Sequence, residues 1–183
     1  MIDDGAFRDN RSITGISFED GSKCSFIGKY AFAGCTQLAE VNLPAVEDGL
    51  TIDEEAFYEC TNLTRLTFPK VGNEEYWYTF RGMAFANTGL TSLDLKCGNT
   101  KTSFNLGGWC FAMTPITNVV LPHEVWGASD PFYQCPIENI TFSEQTEIAG
   151  SLFSQADLSD MNLVIPACVE RIGSDRKLFQ TAA

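Results

Sequence analysis

Histidine is almost missing from this sequence: His123 is the single copy in 183 residues. A catalytic triad needs an imidazole held between a nucleophile and an orienting acid. His123 has only its chain neighbour Glu124 as a nearby acid and no marked nucleophile, so it reads as a loop residue. Cations are scarce as well. Twelve Lys and Arg stand against 24 Asp and Glu, a formal net charge of -12. That balance repels phosphate backbones and anionic lipid and argues against nucleic-acid binding. No apolar run approaches the roughly 18 residues that a spanning helix requires, so direct membrane insertion is not expected. The opening Met1-Ile2-Asp3-Asp4-Gly5 carries neither the basic region nor the apolar stretch of a signal peptide. Also missing are a Cys-x-x-Cys pair for zinc, a Gly-x-Gly-x-x-Gly turn, a phosphate-cradling Gly-Lys-Ser/Thr and an Asp-x-Asp-x-Asp-Gly calcium loop. Nothing in the sequence calls for a cofactor or a metal, and no catalytic constellation is visible.

What the sequence has in abundance is one local pattern. Phe7, Phe32, Phe57, Phe85, Phe111, Phe132, Phe153 and Phe179 follow one another at intervals of 25, 25, 28, 26, 21, 21 and 26 residues. Self-similarity at such a period marks a solenoid, whose coils bury their apolar residues by stacking on their neighbours. After each Phe and a small residue comes Leu-x-x-φ-x-φ (φ apolar), often closed by Pro, as in Leu63-Thr64-Arg65-Leu66-Thr67-Phe68-Pro69. Alternating apolar residues among β-branched ones read as a short strand with one buried face. The inward pairs are then Ile16/Phe18, Val41/Leu43, Leu66/Phe68, Leu93/Leu95, Val119/Leu121, Ile140/Phe142 and Leu163/Ile165. A second apolar position five residues before the Phe (Ile2, Ile27, Ile52, Phe80, Leu106, Ile148) predicts a strand or turn on another wall. The Ala-Phe stretch between them is too short for a free helix. One helical or 3-10 turn that drives the Phe inward is expected there.

Seven cysteines, an odd number, count against a fully paired disulfide framework. Cys35, Cys60 and Cys135 lie three residues after the repeat Phe, in a slot that elsewhere holds Asn10, Thr88, Thr114 and Ala156. Such a slot wants a small side chain, often with a weak donor for the turn backbone. A Cys35–Cys60 disulfide is sterically open but is not the favoured reading. Asp3-Asp4 and Asp53-Glu54-Glu55 fall at matching repeat positions with Lys29 between them, so charge compensation is expected rather than calcium binding. Asn10-Arg11-Ser12, Asn62-Leu63-Thr64 and Asn139-Ile140-Thr141 fit the glycosylation pattern by chance, because they sit inside repeat-defined segments.

Laid out in this way, Ile-Gly-x-x-Ala-Phe-x-x-Cys-x-x-Leu-x-x-φ-x-φ-Pro resembles the BspA-like leucine-rich repeat, known from bacterial surface proteins and from some parasitic protists. The resemblance spans essentially the whole chain. It implies an α/β, right-handed leucine-rich-repeat solenoid with short parallel strands, single helical or 3-10 turns and about seven coils, one domain over residues 1–183. It also implies a non-enzymatic role in adhesion or protein binding, at a cell surface or secreted. The alternative is a structural spacer without a ligand of its own. Pro131, Leu152 and the bulky Trp109-Cys110-Phe111 depart from the pattern. The chain starts inside one coil and ends in another, as expected for a segment of a longer protein, and uncapped ends with Ile172, Leu178 and Phe179 invite end-to-end self-association.

Two surfaces are candidates for a protein or glycan ligand, a host surface among them. Outward strand positions form polar stripes that include Asn42, Arg65, Thr67, Asp94, Asn118 and Thr141. They are small and lack the Trp/Tyr/Arg clusters of hot spots. The longest repeat carries Tyr76, Trp77 and Tyr78 in what reads as a loop between coils, with Trp109 and Trp126 in the coils that follow. Either these aromatics form an exposed contact patch, or they cap the groove where the coil widens.

Overall fold

The computed structural model describes residues 1–69, 75–96, 102–127, 129–142, 147–148, 151–161, 163–167 and 171–172. Its strands are β1 (Gly15–Ile16), β2 (Phe26–Ile27), β3 (Glu40–Asn42), β4 (Leu50–Ile52), β5 (Arg65–Thr67), β6 (Tyr76–Phe80), β7 (Ser92–Asp94), β8 (Thr102–Leu106), β9 (Asn118–Val120), β10 (Glu124–Gly127), β11 (Asn139–Thr141), β12 (Glu147–Ile148) and β13 (Arg171–Ile172). Every pairing among them is parallel, as a coiled chain requires. Two walls result. One is a five-stranded sheet in the order β10-β8-β6-β4-β2, and the other is divided into β1-β3-β5 and β7-β9-β11. β12 and β13 make a separate pair.

Both walls follow from the two apolar positions of the repeat. On the divided wall Val41, Leu43, Leu93, Leu95, Val119 and Leu121 are buried, and Ile16, Phe18, Leu66, Phe68, Ile140 and Phe142 pack against them half-buried. The seventh expected pair, Leu163/Ile165, fails: residues 163–167 form no strand, and without a ladder to fix its face Ile165 is 49% exposed. On the five-stranded wall Ile27, Ile52, Phe80 and Leu106 stand in register and are fully buried. Gly127 takes the equivalent place on β10. Between the walls runs a column of seven rings. Phe7, Phe32, Phe57, Phe85, Phe111, Phe132 and Phe153 stack with successive centroids 5.0, 5.2, 5.0, 5.4, 5.6 and 5.3 Å apart and planes within 13°. That spacing is close to the separation of paired strands, about 4.8 Å. The departures at Trp109, Pro131 and Leu152 do not interrupt the column.

The expected helical or 3-10 turns are not present: no helix occurs among the described residues, and the molecule is a β-solenoid. The reason lies in the backbone of the Ala-Phe segment. Its amides alternate between their own coil and the next one. In the second coil Ala31, Ala33 and Cys35 donate three residues back, to the carbonyls of Gly28, Tyr30 and Phe32. Tyr30, Phe32 and Gly34 donate across to Glu54, Ala56 and Tyr58. The third and fourth coils repeat this at Glu55, Phe57 and Glu59 and at Met83, Phe85 and Asn87. Alternation needs a residue with positive φ two positions before and two after each Phe. Tyr30 and Gly34, Glu55 and Glu59, Met83 and Asn87, Trp109 and Met113, and Asp130 and Gln134 all lie between 55° and 72°. A left-handed residue every fourth position forbids a right-handed helix. The expected count of about seven coils is also too high. The continuous sheet has five strands, so there are about five turns; the flanking repeats add an isolated bridge, Ile2 to Ile27, and the separate β12–β13 pair.

Candidate functional site

The small slot after each Phe is structural. Thr88 and Thr114 hydroxyls donate to the carbonyls of Phe85 and Phe111 at 3.0 and 2.9 Å. Cys35, Cys60 and Cys135 point their thiols at the Phe carbonyl of the preceding coil (Phe7, Phe32 and Phe111), each at 3.1 Å. Cys35 and Cys60 are free thiols rather than a disulfide, as are Cys24, Cys110 and Cys135. Burial pushes the Cys60 thiol up to about 12 and Cys110 well above its ordinary range; it raises Cys35 and Cys135 too. A neutral, buried thiol is a poor nucleophile and metal ligand. The column therefore packs and bonds the turn but offers no chemistry.

The acidic positions are met by cations across coils. Lys29 Nζ lies 2.6 Å from Glu54, and its backbone amide donates to Asp4 Oδ1 at 2.8 Å. Arg81 reaches Asp53 at 3.2 Å. The hydrogen bond to Glu54 raises the Lys29 pKa. No group of three or more His, Cys, Asp or Glu among the described residues is placed to hold a metal ion. His123 is exposed at a bend just before β10.

The polar stripes divide into two patches, because β5 and β7 belong to different sheets. Asn42, Arg65 and Thr67 share the β1-β3-β5 sheet, where Arg65 pairs with Glu40 and the Thr67 hydroxyl donates to Asn42 Oδ1. A shallow groove of about 540 Å³ runs past the strand starts, lined by Thr14, Gly15, Glu40, Thr64, Arg65 and Ser92. Asp94, Asn118 and Thr141 are exposed on β7-β9-β11. There Asn139 donates to Asn118 at 2.9 Å, while the Asp94 carboxylate accepts the Lys96 amide at 2.9 Å.

Tyr76, Trp77 and Tyr78 do not form a loop. They open β6, the central strand of the five-stranded sheet. Alternation along a strand sends Tyr76 and Tyr78 into the core, at 7% and 3% exposure, and leaves Trp77 outside at 47%. The two tyrosines are thus unavailable to a partner, and Tyr78 stacks on Phe104 instead. Trp77 meets Trp126 of β10, one of the aromatics that the sequence groups with it but does not place beside it. Their rings are parallel within 4° at a centroid separation of 5.8 Å. The available signal was positional: each Trp alternates with a buried residue of its strand. Trp109, at a positive-φ turn position, stacks on Tyr133 at 5.3 Å. Phe7 heads the ring column and is 41% exposed; Leu178 and Phe179 lie outside the described residues, as does the side chain of Ile172.

The family model for the BspA type leucine rich repeat region matches residues 1–125 and 46–160, with six copies. No curated protein and no solved structure gives a significant match.

Proposed function

The chain belongs to the BspA-type leucine-rich repeat family, and from that premise we propose a non-enzymatic protein-binding and adhesion module, displayed at a cell surface or secreted. The observation that carries this reading is the polar array on the divided wall. Parallel register sets Asn42 beside Thr67, Glu40 beside Arg65, and Asn118 beside Asn139 at strand spacing. Repeat solenoids bind along such extended surfaces. A partner would meet a pre-ordered surface and would lose little conformational freedom in docking. Surface display is the usual setting of BspA-like repeats. The second reading, a spacer without a ligand, draws on the same array, since several of these side chains already satisfy one another.

Screening the chain against a panel of purified extracellular proteins separates the two. A ligand is expected whose binding is lost in an Arg65→Glu, Asp94→Lys double variant that melts like wild type. Absence of any ligand, or binding indifferent to both reversals, favours the spacer.

A further inference from the structure

Trp77 and Trp126 sit two strands apart on the outer face of the five-stranded sheet, with β8 between them. Strands so placed are about 9.6 Å apart, yet the indole centroids are separated by 5.8 Å. Both rings therefore lean across β8. Ser103 stands in register between Trp77 and Glu124; it is only 5% exposed although it faces outward, and its hydroxyl donates to Glu124 Oε2 at 3.3 Å. Trp126 remains 45% exposed, much like Trp77. The gap between the rings is closed to a ligand, because a group inserted there would need about 7 Å, two contacts of about 3.5 Å. What the pair offers is its outer flanks. On the β4 side the neighbour of Trp77 is Gly49, whose φ of +84° and 2.8 Å approach of a would-be Cβ to the Trp77 carbonyl exclude a side chain. That flank is consequently left uncovered by β4.

Among the described residues, the two rows that hold the pair carry hydroxyl, amide and carboxylate groups and no cation, in Thr51, Thr79, Ser103, Asn105 and Glu124, with Phe26 at the far edge. A complementary ligand has a C–H face to lie on the negative face of an indole, hydroxyls for Asn105 and Glu124, and no negative charge, given the net charge of -12. We propose that Trp77 and Trp126, with Asn105 and Glu124, form a platform for a neutral oligosaccharide. A protein partner fits less well: protein hot spots are desolvated pockets within roughly 800 Å² per side, and this site is a flat pair of rings in polar surroundings. The platform is on a different wall from the polar stripes and stands or falls independently of them.

The test titrates the full chain with cellohexaose, chitohexaose and mannohexaose, with heparin as the anionic counterpart. Trp109→Phe provides a background in which only the pair reports by fluorescence. At least one neutral hexasaccharide is expected to bind saturably with a shift in emission, and heparin is not. Trp77→Ala and Trp126→Ala should each weaken binding about tenfold, the loss of one aromatic contact. Asn105→Leu should weaken binding while keeping the exciton circular dichroism of the stacked indoles, which controls for collapse of the pair. Lack of binding to all three neutral sugars at millimolar concentration overturns the proposal, as does preference for heparin or affinity unchanged in both Trp variants. A concentration-dependent dimer dissolved by Trp77→Ala overturns it too, assigning the face to a second copy. None of these outcomes bears on the protein-ligand screen, so failure of one reading is distinguishable from failure of the other.

Discussion

The buried thiols show what a single side chain does in this fold. Cys60 is fully buried, accepts no solvent, and aims its Sγ at the Phe32 carbonyl at 3.1 Å. Burial raises its folded pKa from 9.0 to about 12, so the folded state holds a proton that the unfolded chain releases. The stability this provides is complete below pH 9 and is lost as pH rises toward 12, by up to about 4 kcal/mol across the window. Urea denaturation at pH 8 and pH 10.5 should therefore show a steeper alkaline loss for wild type than for Cys60→Ala. The preference for a small residue at this slot is legible from Asn10, Cys35, Thr88 and Ala156 alone. The choice of acceptor is not: Thr bonds its own coil, whereas Cys reaches the preceding one.

Among the elements, the turn around each Phe departs most from expectation. Its left-handed positions were half visible, since Gly5, Gly34, Asp9, Asn87 and Asp130 occupy them in several coils, and Gly, Asn and Asp are the residues that tolerate that region. Tyr30, Glu55, Met83, Trp109 and Met113 concealed the pattern. Each is held there by amides that donate across to the next coil, an energy no local window contains. A non-Gly residue at positive φ costs roughly 1–2 kcal/mol, partly offset on mutation by the extra freedom Gly gives the unfolded chain. Met113 has φ 56° and an exposed side chain. Met113→Gly should accordingly stabilise the protein by about 0.5–1 kcal/mol, seen as a higher melting temperature. A decrease would show that the Met113 side chain contributes packing its exposure hides. β6 teaches a parallel lesson. Tyr76-Trp77-Tyr78 resembles a loop by composition, but as a strand its alternation decides which aromatic is displayed.

For the whole molecule, stability is carried along one axis. The ring column joins coils remote in sequence, so a central ring has neighbours on both faces and Phe7 has one described. Phe57→Ala should cost about 3–5 kcal/mol. Phe7→Ala, at an exposed position, should cost clearly less. Chemical denaturation of both variants checks the contrast, and equal costs would mean the column does not behave as a stack of nearest neighbours. By itself the sequence determined the repeat, the strands of the divided wall from Gly15 to Thr141 with their inward residues, and the small slots, because each is a periodic choice of residue size and polarity that stacking requires. It also pointed to Lys29 as a counter-charge among the acids at matching positions, where it meets Glu54, whereas the Arg81–Asp53 pair came only with the structure. Only the tertiary structure decided that the turns are not helical, that one wall is divided after β5, and that Trp77 finds Trp126. The physical reason is the same in each case. These outcomes depend on hydrogen bonds and ring contacts between coils, which join residues 20 to 50 positions apart.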